Sequence, residues 1–224
     1  MDWWLSSLFQ SGGIVLVGSW VLWVIGSIVL HELAHGWVAI RCGDRTPIET
    51  GHMTWNPLVH MGQMSLIMFA LIGIAWGAMP VDASRFRGRY DDAKVSIAGP
   101  LMNLALAVGC VIGAAVWAVH LAAFFPDHVQ DNVLVFLDVG AALNIALMLF
   151  NLVPVPPLDG SRIVADFVPA YRRLINTEHG AVVALILSIL LFMRGGSVIF
   201  GAAFDASRLA IAAVSLAIGG GATP

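Results

Sequence analysis

The chain alternates between apolar segments and short polar connections, and this alternation limits it to a membrane fold. Six apolar segments stand out, at about Ile14–Ile40, Met64–Met79, Val95–Phe125, Val133–Val153, Ala181–Met193 and Val198–Ile218. A helix needs about 20 apolar residues to cross a bilayer, so the segments at 64–79 and 181–193 are short. Only 11% of the residues are charged, against roughly 25% in soluble domains. We therefore expect an all-α, polytopic helix bundle with about five or six membrane segments.

The composition also bounds the domain organisation and the partners. We expect one membrane-embedded domain at 1–218, with a core at about 14–168, C-terminal helices at about 180–218, and a disordered tail at 219–224. The net charge is only -3 and the basic residues are scattered, so we expect the lipid bilayer and not nucleic acid as a partner. Two cysteines, Cys42 and Cys110, are too few for a disulfide framework or a C-x-x-C metal site.

The polar connections indicate how the segments are oriented. The connections at 80–94 and 154–178 are rich in arginine, whereas the turn at 126–132 contains aspartate and no basic residue. Since basic connections favour the cytoplasmic side, the first segment runs from outside to inside. The segment at 64–79 then has to leave and return on one side, which predicts a re-entrant element. An ordinary span, with the N-terminus inside, is the alternative.

The strongest chemical signal is an H-E-x-x-H motif at 31–35, inside the first apolar segment. On a helix, His31 and His35 lie one turn apart, so both imidazoles can reach one metal ion. Glu32 lies beside them and can act on a metal-activated water. Ionisable groups at membrane depth are costly and usually functional. The motif therefore predicts a metal-dependent hydrolytic site within the membrane.

A catalytic zinc usually takes three protein ligands, and the best third candidate is Asp159. It ends the stretch Asn-Leu-Val-Pro-Val-Pro-Pro-Leu-Asp at 151–159, whose three prolines prevent the preceding helix from continuing. Irregular backbone at membrane depth is tolerated where it is buried in protein or lines a wet cavity. A helix N-cap is the alternative role for Asp159, but the H-E-x-x-H motif favours the ligand.

Three motifs in this order resemble the site-2 protease family of intramembrane zinc metalloproteases. They are His31 to His35, Ala98-Gly99-Pro100-Leu101-Met102-Asn103, and Asn151 to Gly160. The resemblance covers about residues 14–168 and points to the small prokaryotic members that lack PDZ or CBS domains. It implies an integral protein of the prokaryotic cell membrane, and the basic connections together with Arg41 put the active site toward the cytoplasm. It also implies one zinc ion per chain, held by His31, His35 and Asp159, with Glu32 as general base.

The resemblance suggests two further polar residues near the centre. It implies that Asn151 contacts the substrate or the developing oxyanion, and Asn103 is a candidate for substrate contact. For both residues, an interhelical hydrogen bond is the alternative, and it is slightly favoured for Asn103. His60 is a candidate to hydrogen-bond a ligand or the cavity wall.

The stretch at 76–81 reads as a short extended element. In the family the corresponding region forms a strand at the membrane edge beside the metal, which implies that Gly77, Met79 and Pro80 bind substrate. An exposed strand edge can pair with an unwound peptide segment. A plain connector is the alternative reading.

Three functions remain open at this point. The first is an intramembrane zinc endopeptidase that cuts membrane-spanning proteins; the resemblance implies anti-sigma factors or remnant signal peptides as substrates. The second is a transporter or metal-handling protein whose intramembrane His, Asp and Glu line an ion path. The third is a catalytically silent relative that binds membrane helices. Glu32 and the complete ligand set argue against the second and third.

Overall fold

The computed structural model describes residues 4–219, apart from the side chains at 181, 185 and 193, and contains no β-strand in that range. The prediction of an all-α fold is confirmed. The α-helices are α1 Trp4–Cys42, α2 Thr46–Glu49, α3 Pro57–Ile72, α4 Asp91–Val116, α5 Asp127–Asn151, α6 Asp159–Phe167, α7 Pro169–Ile175, α8 Glu178–Leu190 and α9 Gly196–Ala217. Of the predicted tail, residues 220–224 lie outside the described range.

Four helices are long and apolar enough to cross a membrane: α1, α4 with its extension to Phe124, α5 and α9. The pair α7 and α8, bent by 82°, adds a fifth if it is counted as one span. The predicted segments at 181–193 and 198–218 are not separated by a loop. The π-helical turn at Leu191–Gly195 joins α8 directly to α9, because no proline interrupts the backbone there and Arg194 and the two glycines remain helical.

Helix α4 is the centre of the bundle, since it packs against α1, α5, α6 and α9. Its contacts are made largely by small side chains, which let helix backbones approach closely in a membrane protein. Fully or almost fully buried alanines supply these surfaces: Ala107, Ala114 and Ala115 on α4 and Ala141, Ala142 and Ala146 on α5. This packing fixes α4 relative to α1, which carries the H-E-x-x-H motif.

The predicted re-entrant segment forms a hairpin, one limb of which is helical. Helix α3 ends at Gly73, whose φ of 78° turns the chain back. On the returning limb, Ser65 Oγ bonds both the amide and the carbonyl of Trp76, and the Ala78 amide donates to the His60 carbonyl. The two ends of the segment therefore meet. The returning limb is irregular and not a β-strand, because it has no neighbouring strand to pair with.

The N-terminal part of α1 packs on the tip of this hairpin. The helix is broken at Gly12 and Gly13, where Gly13 takes a φ of 65°. In the part of α1 before this break, the ring centroid of Trp4 lies 5.2 Å from that of Phe69. Trp4 Nε1 donates to the carbonyl of Ala70. These contacts hold the hairpin tip against α1.

Candidate metal centre

Three potential metal ligands converge between α1 and α6. His31 and His35 lie one turn apart on α1, and Asp159 is the first residue of α6. The two Nε2 atoms are 3.0 Å apart. Asp159 Oδ2 lies 3.2 Å from His31 Nε2 and 3.3 Å from His35 Nε2. Both histidines are buried, and the Asp159 side chain is 15% exposed. The structure thus brings together the three ligands that the sequence predicts.

The hydrogen bonds behind the imidazoles decide which nitrogen faces the centre. His31 Nδ1 lies 2.6 Å from Asn103 Oδ1, and His35 Nδ1 lies 2.7 Å from the carbonyl oxygen of Val95. Asn103 is oriented by its own amide nitrogen, which donates to Asn144 Oδ1. Because both partners can only accept, each Nδ1 donates its proton. Each neutral imidazole therefore presents the lone pair of Nε2 to the centre.

This arrangement fits a bound cation. Three lone-pair atoms face one another, and Asp159 Oδ2 is buried without a hydrogen-bond donor. An orphaned buried acceptor is costly unless a positive charge or a donor satisfies it. Nitrogen and oxygen ligands about 2.0–2.1 Å from a tetrahedral zinc lie about 3.3 Å apart. The observed separations of 3.0–3.3 Å match that spacing, so these residues could hold zinc and leave one position open.

Gly99 provides the space that the imidazoles need beside α4. A Cβ atom at this position would clash with the Nε2 atoms of both His31 and His35. Any side chain there would displace the two rings or the helix. The Ala-Gly-Pro part of the second motif therefore serves the centre through the absence of a side chain.

Glu32 lies beside the ligands, under the returning limb of the hairpin. It is only 7% exposed, and a Cβ atom at Gly77 would approach its Oε1 to 2.6 Å. Met79, further along the limb, reaches the α1 backbone at Gly36, and Pro80 follows it. The structure thus brings the stretch at 77–80 next to Glu32. Its role in substrate binding stays a prediction.

A cavity of about 570 Å³ opens from the centre into the bundle. His31, Glu32, Asn103 and Asn151 form its polar part. The rest of the wall is mainly apolar and includes Ile28, Leu143, Leu147, Phe150 and Phe200, with the backbone of residues 73–77 along one side. The side-chain Nδ2 of Asn151 donates to the carbonyl of Leu147, one turn earlier in α5. Its predicted contact with an oxyanion stays a prediction.

His60 is not brought to the metal ligands. Its buried ring bonds through Nε2 to the carbonyl of Thr54 at 2.7 Å, and its own carbonyl accepts from Ala78. These contacts place His60 at the base of the hairpin, where it joins the two limbs. The expected bond to a ligand or to the cavity wall stays a prediction.

Asp44 fixes the other end of the returning limb. Its fully buried carboxylate accepts hydrogen bonds from the amide and hydroxyl of Thr46 and from the amide of Asp82. Burial alone would raise the pKa of Asp44, but these donors and the nearby charge of Arg85 hold it below its ordinary value. Asp44 thus ties the end of α1 to the end of the limb that passes Glu32.

Sequence reasoning assigned no role to Asn144 or Val95. Asn144 is fully buried, and its Nδ2 donates to the carbonyl of Gly140, so it closes the amide chain that orients His31. A side-chain amide in the middle of the apolar part of α5 was the available signal for it. Val95 acts through its backbone carbonyl, which leaves no trace in the sequence.

Comparisons with known proteins agree with this geometry. The family model described as peptidase family M50 matches residues 19–194. Three relatives are named putative zinc metalloproteases. YwhC of Bacillus subtilis is 38% identical over 75% of this chain and 79% of its own length. Rip2 of Mycolicibacterium smegmatis is 30% identical over 66% of this chain, and Rip3 of Mycobacterium tuberculosis is 31% identical over 84%. The chain spans 54% of Rip2 and 44% of Rip3. No solved structure matches the chain.

Proposed function

Because this chain belongs to peptidase family M50, the site-2 proteases, we propose that it is an intramembrane zinc endopeptidase. It hydrolyses peptide bonds within or near the transmembrane segments of other proteins. Its four apolar helices of spanning length make it an integral membrane protein. The observation that carries the proposal is the convergence of His31, His35 and Asp159 beside Glu32, at the polar end of an otherwise apolar cavity.

The chain's own residues supply the proton transfers. One zinc ion held by His31, His35 and Asp159 would polarise the scissile carbonyl and lower the pKa of the attacking water. Glu32 accepts a proton from that water while the water oxygen bonds to the scissile carbonyl carbon. It then delivers the proton to the leaving nitrogen as the C–N bond breaks. Glu32 directly follows His31 in the chain and is buried beside it, so it stays close to the ligands during both transfers.

The two asparagines take different roles in this proposal. Asn151 lines the cavity, and its carboxamide contacts the substrate or the oxyanion that forms at the scissile carbonyl. Asn103 also lines the cavity, but His31 and Asn144 engage its oxygen and its nitrogen. We therefore propose that Asn103 orients His31 through the interhelical hydrogen bond that the sequence slightly favoured, and that it does not contact the substrate.

The shape of the cavity favours an unwound substrate. An α-helix uses its carbonyls internally, so a transmembrane substrate has to unwind before water can attack one of them. The returning limb supplies a backbone at Gly77, Met79 and Pro80 along which an extended segment can lie. The mainly apolar wall suits the side chains of a membrane-spanning protein.

The basic connections support an orientation for the site. The ligands lie near the end of α1, just before Arg41, and the connections at 80–94 and 154–178 are also basic. We therefore propose a prokaryotic cell membrane as the location, with the active site toward the cytoplasm. We further propose that residues 1–218 act as one catalytic domain.

Cleavage of a single-span test substrate in detergent tests the function. The wild type should cut it, and Glu32→Gln should not, although it binds as much zinc as the wild type. Glu178→Gln, an exposed position on α8, is the matched control and should cut normally. Equal cleavage by wild type and Glu32→Gln would contradict the proposal. Failure of the wild type on a broad substrate panel would favour a transporter or a silent helix-binding relative.

A further inference from the structure

Helix α6, which begins at Asp159, is tied to the first turn of α4 by two side chains. The guanidinium of Arg162 donates to Asp92 Oδ1 from Nε at 3.1 Å and from Nη2 at 2.7 Å. Asp166 Oδ2 accepts from the amide of Ala93 at 3.0 Å. The same two helices are thus joined by an ion pair and by a hydrogen bond from a backbone amide to a carboxylate.

These contacts lie on the face of α6 that carries Asp159. Residues 159, 162 and 166 are spaced by three and four, which puts them on one side of a helix. Arg172 holds Asp166 in place through a second ion pair of 2.8 Å and donates to the carbonyl of Ala165. The side of α6 that presents Asp159 to His31 and His35 is therefore also the side that contacts α4.

Helix α4 is the common reference for all three ligands, although it supplies none of them. His35 is held by the carbonyl of Val95, and His31 by the side chain of Asn103. Asp92 and Ala93, which hold α6, lie just before Val95 in the same helix. Helix α1 sets the spacing between His31 and His35, and the attachments to α4 set where Asp159 lies relative to both.

We propose that Asp92 and Arg162 are positioning residues for Asp159, which they hold at bonding distance from the metal. This inference rests on the metal centre proposed above. Metal–ligand distances are defined to about 0.2 Å, and α6 follows a non-helical, proline-rich stretch at 154–157. Side chains of α7 and α8 bond this stretch, Tyr171 at the carbonyl of Pro154 and Ser188 at that of Pro156, whereas Arg162 acts on α6 itself. The Arg162 and Asp92 side chains are 40% and 22% exposed, and ion pairs so exposed contribute little to folding. We therefore expect loss of the Asp92–Arg162 ion pair to lower the affinity for metal and to change the free energy of unfolding little.

Metal affinity of the full-length protein in detergent tests the inference. We expect Asp92→Asn and Arg162→Gln to weaken zinc binding about tenfold or more in a chelator competition. Their thermal unfolding without metal should stay close to that of the wild type. The visible spectrum of the cobalt-loaded variants should also change, because the Asp159 ligand shifts or is lost. The pair Asp92→Arg with Arg162→Asp should recover part of the affinity.

Lys94→Gln is the matched control. It removes an ion pair of 2.8 Å with Asp91 in the same turn of α4 without touching α6, and it should bind zinc normally. If Asp92→Asn does not fold, Arg162→Lys replaces it and should give an intermediate loss of affinity. Wild-type affinity and spectra in the folded variants would overturn the inference and leave the proposed function intact. A wild type that binds no zinc would instead overturn the metal centre itself.

Discussion

Asn103 Oδ1 lies 2.6 Å from His31 Nδ1, and this contact determines which nitrogen of His31 is free to bind a metal. The asparagine cannot turn over, because its nitrogen donates to Asn144 and Asn144 donates in turn to the carbonyl of Gly140. One chain of hydrogen bonds thus links α1, α4 and α5 through His31, Asn103 and Asn144. Asn103, at the end of the motif at 98–103, thereby orients His31 of the H-E-x-x-H motif.

Removal of the Asn103 side chain should weaken metal binding. In Asn103→Ala, His31 loses the acceptor that fixes its tautomer, and the affinity for zinc should fall about 10- to 100-fold. Asn144→Ala should also lower the affinity for zinc, but less, since Asn103 can still accept the hydrogen bond from His31. Asn132→Ala, at an exposed position of α5, is the control for a chelator titration. An unchanged affinity in Asn103→Ala would show that α1 alone orients His31.

A methyl group at position 99 should abolish the centre. In Gly99→Ala the new Cβ would clash with the Nε2 atoms of His31 and His35, so neither imidazole could keep its position. We expect the purified variant to contain less than about a tenth of the wild-type zinc. Gly109→Ala is a matched control two to three turns along the same helix, where a Cβ meets no atom within 4 Å. Normal zinc content in Gly99→Ala would contradict the described ligand geometry.

Substitution of Gly77 should separate catalysis from metal binding. In Gly77→Ala the Cβ would lie 2.6 Å from Glu32 Oε1 and 2.7 Å from Ile28, so the general base or the limb has to move. Misplacement by about 1 Å can cost about a hundredfold in rate, and cleavage should fall by that order while zinc content is unchanged. Gly26→Ala, an open position on α1, should cleave normally. Full activity in Gly77→Ala would show that the returning limb does not form part of the active site.

Asp44 should stabilise the protein at neutral pH and lose this effect in acid. Since the pKa of Asp44 is lowered on folding, its contribution is complete above the ordinary carboxyl value of about 3.9. It disappears as the pH falls through the lowered value. Asp44→Asn removes the charge from three hydrogen bonds, so it should cost about 1–3 kcal/mol at pH 7. Thermal unfolding at pH 7 and below pH 4 measures this.

The difference in unfolding temperature between wild type and Asp44→Asn should narrow in acid. Asp127→Asn, at an exposed position at the start of α5, is the control and should shift the unfolding temperature little at either pH. A difference between wild type and Asp44→Asn that stays the same from pH 7 to below pH 4 would contradict the role given to the charge of Asp44.

The approach of Asp159 to His31 and His35 could be predicted because their chemistry leaves a pattern in the sequence. His31 and His35 are related by helical spacing, and Asp159 follows prolines that end the preceding helix. A segment at 64–79 that turns back follows from the arginines in the connections at 80–94 and 154–178, and its re-entry into the membrane stays a prediction. In each case the physical cause acts over a few residues or through a residue type that is rare in membrane segments.

The residues that hold the ligands could not be predicted in the same way. Asp92 and Arg162 are 70 positions apart, and each is an ordinary charged residue at the end of a membrane segment. Val95 contributes only a carbonyl, which every residue has. The continuity of α8 and α9 was missed because a glycine pair at 195–196 reads as a break, whereas the backbone remains helical there.

X-ray absorption at the zinc edge of the purified wild-type protein tests whether His31, His35 and Asp159 form a zinc centre. We expect one zinc ion per chain, bound by nitrogen and oxygen ligands at about 2.0–2.1 Å with no sulfur, and a loss of bound zinc in Asp159→Ala. Sulfur in the coordination shell, or full zinc occupancy in Asp159→Ala, would contradict a centre formed by His31, His35 and Asp159.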